Sequence, residues 1–298
     1  MALIAISGKK NSGKDLVYNI INYLYVKYKY SNIYKQHFYN FDTYLEYIKQ
    51  NNEDWQDFKN VKFADKLKDI VCILIGCTRE QLEDREFKEK ELGEEWRKWY
   101  WSYYKATYNS NPKGKISGYF ITEEDCQKAK SDFDKILYQS DNWEIKNELL
   151  TPRMLLQEIG TDLFRNQLHS EIWVNSVFSN YKKQNYTNNG QPDFDWNNQQ
   201  NEPKPFYPNW IITDLRFKNE LKAIKDRKGI TIRINTIWDY NSTDSFLKNI
   251  NQNEHPSETE LDNETFDIIL DNNGTIEDLI EQVDIKLFKN NVFRNLLL

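Results

Sequence analysis

The sequence predicts an α/β protein with a doubly wound parallel sheet and helical insertions. Two observations predict this fold. An apolar strand near the start of the chain runs into a glycine-bounded loop and an amphipathic helix, and strand-like apolar runs then alternate with helical patterns. The chain has 298 residues, so we expect a single domain over residues 1–298 that carries insertions.

The first strand, loop and helix contain the spacing G-x-x-x-x-G-K, with glycines at Gly8 and Gly13 and the lysine at Lys14. Glycine permits a tight backbone path, and the amides at a helix amino terminus bind phosphate oxygens. This spacing between a strand and a helix is typical of a phosphate-binding loop. The predicted loop consists of Gly8, Lys9, Lys10, Asn11, Ser12, Gly13, Lys14 and Asp15.

The charges of this loop suggest how it would bind a phosphate chain. We expect Lys14 to neutralise the β and γ phosphates of a nucleotide. Lys9 and Lys10 either touch outer phosphate oxygens or are simply solvated. Asp15 stands where a serine or threonine hydroxyl usually binds Mg²⁺. A strand-to-helix turn without any ligand is the alternative interpretation.

Periodicity and capping residues predict the remaining elements. Further strands are expected at residues 61–64, 210–214, 230–234 and 266–270. Helices are expected from residue 65 to Gly76, from a capping box at Thr78 through residue 90, from Thr122, from Thr151, and over 171–181, 215–228 and 275–287.

Three stretches of the chain show little periodicity. Residues 27–60 and 96–150 are interpreted as insertions that form a substrate or lid region, the second as a mobile lid or a helical insertion. Residues 182–208 are rich in Asn, Gln and Pro, which indicates a mobile surface loop.

Composition restricts the classes of function. The net charge of −6 argues against general affinity for nucleic acid, which depends on excess Lys and Arg. The longest apolar run, residues 70–77, is too short to span a bilayer. Three cysteines without metal-ligand spacing fit a reduced, cytoplasmic protein. A small phosphorylated molecule is the partner that we expect, and a homodimer is possible.

Two further segments carry candidate site residues. Asp214 ends an apolar strand, and the carboxyl ends of parallel strands meet at the ligand crevice. Asp214 therefore either binds Mg²⁺ or caps the next helix, and Arg216 can bind a phosphate with both arms of its guanidinium. On the helix that begins at Thr151, Arg153 and Gln157 share a side that could face a cleft.

These segments resemble the deoxynucleoside monophosphate kinases of tailed phages and some bacteria, a branch of the P-loop nucleoside monophosphate kinases. The similar segments are the phosphate loop at 7–15, F-A-D-K-L-K at 63–68, R-M-L-L-Q-E-I-G-T-D at 153–162, W-V at 173–174, T-D-L-R-F-K-N-E at 213–220, and residues 255–259 and 271–275.

The resemblance implies a P-loop kinase fold and transfer of the γ-phosphoryl group of ATP to a (deoxy)nucleoside 5′-monophosphate, in the host cytoplasm if the protein is phage-encoded. It assigns ATP and Mg²⁺ as cofactors and implies roles for seven residues. These are Lys14 on the donor phosphates, Asp15 and Asp214 on Mg²⁺, Arg153, Arg165 and Arg216 on the acceptor and transferring phosphates, and Gln157 on the base.

The sequence departs from the family at Leu16, where threonine is common, and after Ile234, where Asn235 and Thr236 replace the usual Arg-Pro. Two other functions therefore stay open. The chain could phosphorylate another small acceptor, as phosphomevalonate kinases do, or it could be a nucleotide-binding switch protein that transfers no phosphoryl group.

Overall fold

The computed structural model describes residues 2–30, 39–50, 57–103, 115–116, 120, 122–136, 143–183, 207–236 and 259–289. The strands are β1 (Leu3–Gly8), β2 (Lys59–Val61), β3 (Arg97–Tyr103), β4 (Lys115–Ile116), β5 (Trp143–Leu149), β6 (Trp210–Ile212), β7 (Ile230–Asn235) and β8 (Ile268–Asp271).

The α-helices are α1 (Lys14–Lys29), α2 (Phe41–Gln50), α3 (Asp65–Ile75), α4 (Arg79–Glu83), α5 (Arg85–Glu89), α6 (Glu123–Ile136), α7 (Pro152–Gln157), α8 (Ile172–Phe178), α9 (Lys218–Asp226) and α10 (Ile276–Val283). Two π-helical segments, Glu158–Leu168 and Asp284–Lys289, directly continue α7 and α10.

The chain divides into two compact units, residues 1–65 with 170–298 and residues 66–169. The first unit contains a five-stranded sheet in the order β2-β6-β1-β7-β8, in which every neighbouring pair is parallel. The predicted parallel α/β sheet is therefore confirmed, with β1 at its centre.

The core of the first unit forms around β1 and α1. Ile4 and Ile6 of β1 are fully buried, because a central parallel strand is covered on both faces. Helix α1 packs into the same core, and Val17, Ile20, Ile21 and Leu24 are fully buried. The predicted helix after the loop is thereby confirmed, but residues 20–26 are all buried, so the helix is covered on more than its apolar face.

Several strand boundaries differ from the sequence prediction, and the expected strand 210–214 ends at Ile212. The expected strand 61–64 is wrong at its carboxyl end, because the Lys62 amide donates to the Asp65 carboxylate at 3.1 Å and closes a turn. The expected strand 266–270 begins later, at Ile268. The carboxylate of Asp267 accepts hydrogen bonds from the amide and the hydroxyl of Thr231, at 2.8 and 2.7 Å.

The second unit contains a three-stranded antiparallel sheet in the order β4-β3-β5. The interpretation of residues 96–150 as a helical insertion is thus incomplete, since α6 accompanies a sheet. Strands form here because β-branched and aromatic residues favour a pleated surface, and β3 carries Trp99, Tyr100 and Trp101. Whether this region acts as a lid stays a prediction.

Two predicted helices are interrupted in the second unit. The helix from Thr78 ends at Glu83, because Asp84 is extended and caps a new helix by accepting from the Phe87 amide at 2.8 Å. The helix from Thr151 becomes π-helical after Gln157. The capping residues Thr78 and Thr151 are confirmed at their predicted positions.

Residues 184–206 of the predicted surface loop, residues 31–38 and 51–56 of the insertion at 27–60, and residues 255–258 lie outside the described residues. Among the helices that the structure describes, none combines the length and apolar character needed to cross a bilayer.

Candidate nucleotide-binding site

The predicted phosphate loop joins the centre of the parallel sheet to α1. Gly13 adopts φ 94°, and Asn11 adopts φ 65°. A Cβ atom on Gly13 would lie 2.6 Å from Asn272 Nδ2, and one on Gly8 would overlap Ser12 Oγ. Both glycines of the motif are therefore required by close packing, and Gly13 also by its left-handed backbone.

The lysine of the motif is folded over the loop. Lys14 Nζ donates hydrogen bonds to the carbonyl oxygens of Gly8 at 2.8 Å and Lys9 at 2.7 Å. The loop is closed by the Ser12 amide, which donates to the Lys9 carbonyl at 3.2 Å, and by Asn272 Nδ2, which donates to the Ser12 carbonyl at 3.0 Å. These bonds give the loop a compact shape with a cation at its centre.

The Ser12 side chain is buried, and its hydroxyl has no hydrogen-bond partner within the described part of the chain. A buried hydroxyl without a partner is uncommon in proteins and calls for an explanation. A phosphate group bound by the loop would offer an acceptor at this position.

Asp15, the first acidic residue of α1, is largely exposed, and its Oδ1 lies 3.3 Å from Lys62 Nζ. The next residue, Leu16, packs against the apolar core and adds no hydroxyl to the loop. Of these two side chains, only the Asp15 carboxylate could bind a metal ion.

Asp214 follows β6 and joins two segments of the first unit. Its Oδ1 accepts from the Phe63 amide at 2.8 Å and its Oδ2 from the Ala64 amide at 2.9 Å. The predicted alternative, a helix cap, is wrong, because α9 has Phe217 at its N-cap position. Asp214 instead fixes the chain after β2 to the chain after β6.

Burial raises the pKa of the Asp214 carboxyl, although the two amide donors and the nearby guanidinium of Arg216 act in the opposite direction. Arg216 is thus placed beside Asp214, as predicted. The turn that carries both is held by the buried Glu220, whose carboxylate accepts from the amides of Arg216 at 3.0 Å and Phe217 at 3.1 Å.

The sheet brings Asp214 and the phosphate loop to the same edge. Strand β6 is the parallel neighbour of β1, with Ala5 paired to Ile212. Beyond the strand end, the Leu215 amide still donates to the Ile6 carbonyl at 3.3 Å. The residues predicted to share a cleft therefore leave adjacent strands at their carboxyl ends, where ligands bind in such sheets.

A cluster that sequence reasoning missed lies beside the loop. The guanidinium of Arg233, on β7, donates to Ser7 Oγ at 3.1 Å and to Asp262 Oδ1 at 2.8 Å, and Asp262 Oδ2 binds Lys9 Nζ at 2.8 Å. The available signal was Arg233 itself, a charged residue in the otherwise uncharged strand I-T-I-R-I-N.

In the second unit, Arg153 lies on α7 and pairs with Glu89, and Gln157 is the last residue of α7. Gly160 is buried, and a Cβ there would lie 2.5 Å from Leu67 Cδ2. Arg165 lies in the π-helical segment Glu158–Leu168.

Sequence reasoning also missed two lysines near Arg153. The side chain of Lys88 is only 15% exposed and lies 3.5 Å from Glu83 Oε2. Lys68 pairs with the other oxygen of Glu83 at 2.5 Å. Burial and the charges of Lys68 and Arg153 lower the pKa of Lys88, against the opposing effect of Glu83. Three cations therefore lie close together.

The parallel sheet, the left-handed glycine and the lysine folded over the loop define the class of P-loop nucleotide-binding proteins. The described residues contain no group of three or more His, Cys, Asp or Glu side chains that could hold a metal ion alone.

Residues 2–283 match the family model of deoxynucleotide monophosphate kinase, and the chain belongs to that family of phosphotransferases. A 134-residue stretch, 45% of the chain, is 32% identical to a protein of Acanthamoeba polyphaga mimivirus named "Putative deoxynucleotide monophosphate kinase". This match spans 59% of the length of the mimivirus protein.

Proposed function

We propose that the protein transfers the γ-phosphoryl group of ATP to the 5′-phosphate of a deoxynucleoside monophosphate, which yields ADP and the deoxynucleoside diphosphate. The observation that carries this proposal is the phosphate loop at the end of β1 next to the Asp214–Arg216 turn at the end of β6. Family membership supports the class of acceptor.

The loop would bind the donor. The amides between Asn11 and Asp15 and the start of α1 favour negative charge, because the first amides of a helix lack intrahelical acceptors. Lys14 would exchange its two carbonyl acceptors for the β- and γ-phosphate oxygens. Lys9 and Lys10 would contribute to the positive field over the loop.

The residues present fit a Mg²⁺ ion held largely through water. Asp15 is exposed, and each Asp214 oxygen accepts one amide and retains a lone pair. When bound, Mg²⁺ would neutralise charge on the triphosphate. The chain itself fixes Asp214 through the Phe63 and Ala64 amides, so this carboxylate keeps one orientation.

Arg153, Arg165 and Arg216 would clamp the acceptor phosphate and the transferring group, and Gln157 would bind an edge of the base. Lys68 and Lys88 support an anion site next to Arg153, because three cations compensated by Glu83 and Glu89 retain one positive charge. The acceptor oxygen is already nucleophilic, so positioning and charge neutralisation suffice without a general base.

The test is thin-layer chromatography of labelled ATP incubated with Mg²⁺ and, separately, each of the four deoxy- and four ribonucleoside monophosphates. We expect labelled diphosphate from at least one deoxynucleotide, at a rate above that of the matching ribonucleotide. Turnover of no monophosphate would contradict the proposal. A Lys14→Met preparation controls for a contaminating kinase.

Leu16 favours a second candidate, a nucleotide-binding protein without phosphoryl transfer, because the hydroxyl that usually binds Mg²⁺ is missing. ATP binding by calorimetry without turnover of any monophosphate would support this alternative. Phosphomevalonate belongs in the same assay as an acceptor of another class. We propose a cytoplasmic setting for this reaction, and light scattering would test the predicted homodimer.

A further inference from the structure

Arg233 occupies a fixed position directly beside the entrance of the phosphate loop. In the parallel pairing of β1 with β7, Ser7 is the register partner of Arg233. The guanidinium donates to the hydroxyl of Ser7 at 3.1 Å, and Ser7 is only 2% exposed. The Arg233 side chain itself is 14% exposed, so its contacts are shielded from water and less screened than those of a surface pair.

Asp262 extends the reach of Arg233 to the other side of Gly8. One carboxylate oxygen accepts from Arg233 at 2.8 Å, and the other binds Lys9 Nζ at 2.8 Å. Ser7 and Lys9 flank Gly8, the first glycine of the motif. The two ends of the first turn of the loop are therefore connected through one arginine and one carboxylate.

Asp262 is itself held in place by the turn at residues 259–264. Leu261 is buried, and the Asp262 amide donates to the Thr259 carbonyl at 3.1 Å. The neighbouring Glu260 accepts from the Lys218 amide at 2.8 Å, at the first residue of α9. The carboxylate that contacts Lys9 is thus anchored to the rest of the first unit.

A loop with a glycine at each end loses conformational freedom when it orders around a ligand, and a loop already fixed binds more tightly. We infer that Arg233 and Asp262 are positioning residues for the donor nucleotide: they fix Ser7 and Lys9, so that the loop amides and Lys14 are held in the arrangement that binds phosphate. This inference concerns the donor site of the proposed function and depends on it. Neither Arg233 nor Asp262 is proposed to contact the γ-phosphoryl group that is transferred.

The test is calorimetric titration of ATP with Mg²⁺ into the wild-type chain and three variants. We expect Arg233→Met to raise the Kd by about tenfold, the effect of losing a charge-assisted hydrogen bond. Asp262→Asn keeps one acceptor, and we expect an increase of about threefold. Arg233→Lys should restore part of the affinity, because an ammonium group retains the charge but not the fork geometry.

Kinetics separate positioning from catalysis. At saturating ATP, kcat of Arg233→Met should stay within about threefold of wild type, while KM for ATP rises with Kd. The double variant Arg233→Met/Asp262→Asn should bind ATP as Arg233→Met does, because both residues act through one network. Thermal melting identifies any variant that has lost its fold.

Arg227→Met is the matched control. This arginine belongs to the same unit, donates to the Ala223 carbonyl and follows α9, near the amino-terminal ends of the strands. Its substitution should leave ATP affinity unchanged. Unchanged Kd in folded Arg233→Met and Asp262→Asn would overturn the inference, and so would tighter binding by Asp262→Asn, since that carboxylate would then only oppose the triphosphate.

The outcomes also separate this inference from the proposed function. A wild-type chain that binds ATP but phosphorylates no acceptor contradicts the proposed function, while the series of Kd values still decides the role of Arg233. A wild-type chain that binds no ATP overturns both.

Discussion

The two units of the chain place their charges differently. In the first unit, β1 and its neighbour β6 contain no charged residue, and the charged groups Lys14, Asp214 and Arg216 follow the strand ends. Arg233 within β7, the other neighbour of β1, is paired with Asp262. In the second unit, charges lie within the strands themselves. Lys98 of β3 is buried and is bound by Glu148 of β5 and by Glu158.

The difference follows from how each sheet is covered. A parallel sheet with helices on both faces has no position inside its central strands for an unpaired charge, so its polar chemistry collects at the carboxyl edge. An antiparallel sheet can expose one face to water and can include ion pairs. Removal of a site charge from the first unit should therefore lower activity without lowering stability. Removal of a charge from the second unit should lower activity or stability, depending on whether the charge lies at the proposed site or within the sheet.

The largest expected effect is that of Lys14→Met. Removing the cation over the loop should lower kcat/KM by about a thousandfold, the magnitude typical of charge stabilisation at a transferring phosphoryl group. The melting temperature should barely change, because Lys14 Nζ donates to two carbonyls of the loop and does not belong to the apolar core. Steady-state kinetics and thermal melting check both parts, and retained turnover would contradict the role assigned to Lys14.

The next effect is that of Arg153→Met in the second unit. We expect kcat/KM for the monophosphate to fall by about a hundredfold and KM for ATP to stay constant, because a lost guanidinium–phosphate pair affects only the acceptor. Arg97→Met is the control, since Arg97 has a similar side-chain exposure, 29% against 35%, and pairs with Glu94 rather than with Glu83 or Glu89. Equal losses in both variants would indicate a general electrostatic effect.

A smaller effect is expected for the buried ion pair of the second unit. Lys98→Met leaves the carboxylates of Glu148 and Glu158 without their shared cation. We expect a loss of about 2 kcal/mol, below the value for a fully buried pair, because both glutamates are partly exposed. Hydrogen exchange of the β3 and β5 amides measures the loss.

Arg97→Met, on the same strand, provides the reference for Lys98. Arg97 pairs with Glu94, which is 75% exposed, so the loss of Arg97 should reduce stability far less than the loss of Lys98. Similar protection of the β3 and β5 amides from hydrogen exchange in the two variants would mean that the burial of Lys98 adds nothing to the stability of the sheet.

The smallest effect concerns a tyrosine of the first unit. Tyr28 Oη donates to Asp284 Oδ1 at 2.6 Å, and burial together with this bond raises the Tyr28 pKa from 10.0 to about 12. The folded state therefore holds the phenol proton more tightly than the unfolded state. This contribution is complete below pH 10 and is lost as the pH rises through about 12.

Tyr28→Phe should remove that dependence. We expect urea denaturation of the variant between pH 10 and 12 to show a shallower decline in stability than that of wild type. The difference should stay below about 1 kcal/mol, because the ring is partly exposed. If stability declines equally with pH in the variant and in wild type, the Tyr28–Asp284 hydrogen bond has no role in the pH dependence.

Much of the fold was predictable because its signals are local. The glycine spacing around Lys14, the apolar face of α1 and the caps at Thr78, Thr151 and Thr275 each depend on residues within one or two helical turns. Such patterns act before any tertiary contact forms. The phosphate loop and the order of strands and helices around it follow from them.

Other features could not be predicted because distant segments decide them. Asp214 accepts from amides about 150 positions away in the chain, and the link from Lys9 to Asp262 spans 253 positions. The partial burial of Lys88 depends on its position beside Glu83 and Lys68, which the local sequence does not specify.

The sequence by itself determined the parallel α/β class, the phosphate loop and the candidate residues at the strand ends, since periodicity and glycine spacing are properties of short segments. Only the tertiary structure decided which partners those residues have: the amides that fix Asp214, the arginine that supports the loop, and the cations beside Arg153. The physical reason is that burial and pairing of charges depend on contacts between segments far apart in the chain, and no local pattern specifies such contacts.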